Sequence, residues 1–108
     1  MSPEEYRKIA LGLPGAEERS HLGHPDFRVN GKIFATLWKE EGVLLLTRDQ
    51  QESLTESKPK VFSPVKGGWG QKGSTRVVLE NADRELVRFA MSLAWSNKAA
   101  SVRKAVRK

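Results

Sequence analysis

Asn30-Gly31 stands between two runs prone to extended structure, Asp26 to Val29 and Lys32 to Trp38. A two-residue type I′ turn needs positive φ at both central positions, which Asn and Gly tolerate best. This dipeptide therefore commits the surrounding chain to an antiparallel hairpin, and every other element has to be placed around that sheet. The next run, "WKEEGVLLLT", reads as a second hairpin in which Glu40-Glu41-Gly42 turns into a strand from Val43 to Leu46.

Helices flank the hairpins. Ser2-Pro3-Glu4-Glu5 combines an N-cap serine, a proline at the first helical position and a glutamate at N3, ahead of Tyr6, Ile9, Ala10 and Leu13 at helical spacing. We expect a helix over about 3–12, ended by Leu13-Pro14-Gly15. Residues 16–22 then form a short strand. Thr47, with Gln50 three residues on, caps a short and mostly exposed helix that stops before Pro59. "KVF" is a brief edge segment, and "STRVVLE" is the last strand because of its β-branched residues. Asn81 is the expected cap of a long final helix whose stripe of Leu86, Phe89, Ala90, Leu93, Ala94 and Trp95 needs a sheet to cover it. This order implies an α+β two-layer sandwich, an antiparallel sheet with the N- and C-terminal helices packed on one face.

With 108 residues, 38% hydrophobic and 30% charged, the chain fits one soluble domain over 1–108 that ends in a basic tail from about 98. The acidic start "MSPEEYRKIALGLPG" lacks the basic character of a signal peptide, and a cytoplasmic location is expected. Cysteine is absent, which excludes disulfides and thiolate chemistry. The net charge of +6 comes from two carboxylate-free blocks. One carries Lys58, Lys60, Lys66, Lys72 and Arg76, and the other Lys98, Arg103, Lys104, Arg107 and Lys108. Brought to one face they suit a polyanion; left apart they only keep the protein soluble.

Several segments together resemble the MmcQ/YjbR family: "HLGHPDFRVNGKIFATL" at 21–37, the Leu-Thr-x-x-Gln-Gln of 46–51, "VFSPVKGGWGQKGSTRVVL" at 61–79, and a terminal helix ending in Ala-Trp before basic residues. The resemblance spans nearly the whole chain. It implies a CyaY-like α+β fold and a role in DNA binding through a so-called double-wing arrangement, with no enzymatic activity. The chain departs from that pattern at Ser74, where a bulkier residue, often Trp, is expected.

The glycine-rich segment "SPVKGGWGQKGSTR" carries the main candidate site. Its glycines let the backbone approach a ligand, Lys66 and Lys72 suit phosphates, and Trp69 suits a base or a groove. Structurally, Trp69 can instead fold back as a lid on the core; both readings stand at this level. The spacing is not that of a Walker loop, which disfavours nucleotide hydrolysis. His21, His24 and Asp26 have weak metal-ligand spacing, and a hydrogen-bonded histidine bracing the hairpin is the preferred reading; no metal or cofactor is expected. No nucleophile–base–acid set can be placed, so no catalytic residue is assigned. The expected partner is DNA, bound without sequence preference through Lys66, Trp69, Lys72, Arg76, Arg103, Lys104, Arg107 and Lys108, with no membrane attachment. The alternatives are a protein- or small-ligand-binding module using the groove beside Trp69 and Trp38, and an uncharacterised enzyme using His21 or His24.

Overall fold

The computed structural model of the chain describes the backbone of residues 1–106 and the side chains of all of these except His21 and residues 100–106. Helix α1 spans Pro3–Leu11. Its capping box forms as the sequence implies, with Glu5 N donating to Ser2 Oγ at 3.2 Å and Ser2 N donating to Glu5 Oε1 at 3.1 Å. Strands β1 (Ala16–His21), β2 (His24–Val29), β3 (Lys32–Trp38) and β4 (Glu41–Leu45) follow as a meander. Helix α2 (Arg48–Ser57), strand β5 (Phe62–Pro64), the single turn α3 (Gly68–Gln71) and strand β6 (Ser74–Val78) come next. One turn of 3-10 helix at Leu79–Asn81 leads into α4, Arg84–Val106.

The six strands form one antiparallel sheet in the order β1-β2-β3-β4-β6-β5. The central β4 to β6 pairing joins segments separated by α2, β5 and α3, so the glycine-rich loop is tied at both ends to the sheet. Helices α1 and α4 cover one face. Phe27, Phe34, Leu44, Phe62 and Val77 point into that layer and meet Tyr6, Val87, Ala90, Met91 and Ala94, all fully buried. The result is the expected α+β sandwich. Among the described residues, no helix is long and apolar enough to cross a membrane.

The Asn30-Gly31 turn forms with φ of 54° and 80° at its two residues. Between β2 and β3 the register shifts, Phe27 facing Ala35 and Arg28 facing Ile33. The extra residue is a β-bulge, and it places consecutive Phe34 and Ala35 both inside.

Three local expectations are corrected. The second hairpin turns at Lys39-Glu40, not at Glu40-Glu41-Gly42; Lys39 takes φ 54° and Gly42 lies within β4. Gly42 is needed for space, because a Cβ there would stand 2.4 Å from the Tyr6 ring, whose hydroxyl donates to Val43 O at 3.3 Å. Burial pushes that hydroxyl far above its ordinary pKa. Asn81 does not cap α4: its Nδ2 donates to Lys60 O, and Asp83 caps instead, accepting from Leu86 N at 2.9 Å. The buried stripe of α4 runs through Val87, Ala90, Met91 and Ala94, which leaves Phe89 58% exposed. A three- or four-residue spacing allows either stripe, and the crossing of α4 over β2, β3 and β4 selects one.

Candidate functional site on the open face of the sheet

The face of the sheet away from α1 and α4 carries the other half of the alternating strand side chains. The register aligns Asp26, Thr36, Val43, Arg76 and Ser63 in one row across five strands. Beside this row Trp38 faces Glu41, and Leu45 faces Ser74. From Thr36 to Ser63 the row floors a groove of about 970 Å³, lined mostly by apolar atoms and bordered by Trp38 and Trp69.

Trp69 owes its position to the glycines around it. A Cβ on Gly70 would lie 1.7 Å from Val65 O, and one on Gly73, which has φ 115°, would lie 1.9 Å from Leu46 O. Only a chain without side chains at these points can press α3 so closely onto the sheet. Gln51, buried on α2, clamps the loop: its Nε2 donates to Gly70 O at 2.8 Å and to Ser74 O at 3.0 Å. Arg48 Nη1 adds a bond to Gln71 O at 2.9 Å. On this fixed turn the indole of Trp69 is left 70% exposed. The core-lid reading of Trp69 is thereby overturned, since α3 holds the ring on the solvent side of the sheet. Lys72 Nζ stands 6.0 Å from the centroid of the Trp69 ring, at the outer limit of a cation–π contact.

The opposite border is built differently. Trp38 stacks on His24 with ring centroids 3.4 Å apart and remains 46% exposed. Here His24 braces the hairpin by ring stacking. Asp26, fully buried, is held by Arg28 through bonds of 2.8 and 3.1 Å, and this pairing raises the Arg28 pKa. His24 and Asp26 thus have partners of their own, and among the described residues no group of three acidic or imidazole side chains gathers around a common point. Leu22, at φ 54° in the β1 to β2 turn and 80% exposed, adds an apolar tip to the rim. A bulky residue seldom takes that conformation.

Charge on this face is mostly positive. Lys66 lines the groove and Lys72 flanks Trp69, both exposed. Arg76 also lines it, but its guanidinium is hydrogen-bonded to Glu41, which holds the Glu41 carboxyl below its usual range and raises the arginine. Glu41 is the sole carboxylate among the described lining residues. The fold therefore brings Lys66, Trp69, Lys72 and Arg76 together around one groove. Arg103 and Lys104 fall in the stretch of α4 whose side chains lie outside the described residues, and Arg107 and Lys108 lie outside them altogether. Asn97 Nδ2 donates to Gln50 Oε1 at 2.8 Å, and α2 in turn meets the glycine loop. The residue just before the basic terminal block is therefore tied to the helix that holds that loop.

Sequence reasoning missed the roles of Gln51, Leu22 and Glu41, and the stacking of His24 on Trp38. Gln51 had a signal in the paired glutamines after Thr47, of which the first caps α2 and the second faces inward. The others depend on pairings across strands.

The family model described as YjbR matches residues 11–97, a span that includes the whole sheet, the glycine loop and most of α4. No curated protein matches the sequence.

Proposed function

The chain belongs to the YjbR family, and from that premise we propose that it is a non-enzymatic DNA-binding protein that contacts the backbone phosphates through the glycine-rich loop and the basic C-terminal block. One observation carries the reading: α3 is clamped by Gln51 so that an exposed tryptophan and exposed lysines 66 and 72 stand together on a carboxylate-free segment. A loop fixed by close backbone packing yet ending in an exposed indole spends structure on presentation. Exposed lysines suit phosphates as point charges, and an exposed indole suits a base or a groove. Arg76 contributes less than a free arginine, because Glu41 already neutralises it. Lys66 and Lys72 with Arg103, Lys104, Arg107 and Lys108 make six cationic positions, for which the log–log salt slope is about −5.

The test is fluorescence anisotropy of a labelled random DNA at 20 to 200 mM salt. A slope near that value supports the reading; no binding at the lowest salt, or binding indifferent to salt, refutes it. A second reading, a module whose groove between Trp38 and Trp69 takes an apolar ligand or a segment of another protein, is favoured by the apolar lining of that groove. Its mark is affinity that salt leaves unchanged.

A further inference from the structure

We infer that the groove between Trp38 and Trp69 takes the unstacked bases of a single-stranded nucleic acid, so that the protein prefers single strands to duplex. The inference rests on the nucleic-acid reading above and names the form of nucleic acid. A duplex presents phosphates and base edges and hides the flat faces of its bases, leaving the apolar floor formed by Ile33, Val43, Leu45 and Val65 with little to meet. A single strand offers those faces. Indole rings are the best stacking partners for them, and this groove has one at each border, both substantially exposed.

Charge complements that occupant. Lys66 lines the groove and Lys72 stands at the Trp69 ring, while the carboxylate of Glu41 is taken by Arg76. Stacking surface and unpaired positive charge thus occur side by side, the arrangement that lets a strand track its phosphates along one rim while its bases turn inward. Trp38 is also held by its stack on His24, and the backbone that carries Trp69 is fixed by the packed loop, so part of the ordering cost of binding is already met. Thr36, Ser63 and Ser74 give the floor hydroxyls able to bond base edges of any identity, and sequence selectivity is accordingly low.

The experiment compares the full chain on a mixed-sequence 12-nucleotide DNA strand, the same sequence as a duplex, and heparin, which is a polyanion without bases. The expected result is tighter binding of the single strand than of the duplex, with quenching of tryptophan fluorescence. Trp69→Ala should weaken single-strand binding by about 5- to 150-fold, the range for loss of one stacked base, and leave heparin affinity within about twofold. Trp38→Ala should act likewise on the opposite border, and a still cooperative melt of Trp69→Ala, lower by only a few degrees, keeps the result readable should Trp38→Ala fold poorly. Equal affinity for strand and duplex, or a Trp69→Ala variant that binds the strand as well as the parent does, overturns the inference and leaves phosphate binding standing. Absence of binding to either DNA at low salt overturns both.

Discussion

Two neighbouring glycines of the same loop should respond in opposite ways to the same substitution. At Gly70 the added Cβ would meet Val65 O at 1.7 Å, and contacts under 3.0 Å do not occur, so the two backbones must part by more than about 1 Å. The bonds that hold the loop are already at full length: Gln51 Nε2 to Gly70 O at 2.8 Å, Gln51 Nε2 to Ser74 O at 3.0 Å and Val65 N to Ser74 O at 3.0 Å. A shift of that size breaks two of them, at about 1 kcal/mol each, and strands the buried Gln51 amide at about 1–3 kcal/mol more. Gly70→Ala should therefore destabilise by about 3–5 kcal/mol. At Gly68 the Cβ meets nothing within 4 Å, and its φ is not in the left-handed region. Gly68→Ala should be neutral or stabilise by about 0.4–1 kcal/mol through the unfolded chain's lost freedom. Urea unfolding followed by tryptophan fluorescence measures both. A loss below about 1 kcal/mol for Gly70→Ala, or an equal loss at the two sites, would refute the account of the loop as a clamped scaffold.

Further outcomes follow from the same geometry. Trp69→Ala should cost only about 1 kcal/mol in urea unfolding, because at 70% exposure the hidden part of the ring is small, where a buried tryptophan would cost about 3–5 kcal/mol. Asp83→Ala should lower stability by about 1 kcal/mol as a lost N-cap, against a smaller effect for Asn81→Ala, whose side chain bonds one exposed carbonyl; thermal melts of the two variants rank them. Glu5, held below 4.5 first by the Ser2 backbone N–H, and Glu41, held there by Arg76, stabilise the fold above the ordinary carboxyl pKa and lose that contribution as pH falls through their lowered folded values. Urea midpoints measured from pH 6 to 3 should fall in the acid range, and Glu41→Gln should flatten part of that fall. The same variant frees Arg76 and should steepen the salt slope for polyanion binding by about one unit.

Features that lie within a few residues of their cause could be read along the chain. The Asn30-Gly31 turn, the capping boxes at Ser2 and Thr47 and the β-branched run of β6 were legible because turn geometry and end-capping are satisfied by neighbours along the chain. The α+β class followed from their order. The remaining features depend on atoms far apart in the chain. Gly42 looked like a turn residue and proved to be the space under Tyr6; Asn81 and Asp83 are both competent caps, and the 3-10 turn before α4 chose Asp83; the stripe of α4 was set by the sheet it crosses. The candidate site shows the same division. Lys66, Trp69 and Lys72 are recognisable from a glycine-rich, carboxylate-free stretch, yet whether that tryptophan is buried or offered to solvent turns on Gln51 reaching Gly70 and Ser74 from another helix. Trp38 becomes the opposite wall, and Arg76 loses its free charge to Glu41, only when the strands take their register. Periodicity along a strand names a face; pairing across strands determines what meets on it.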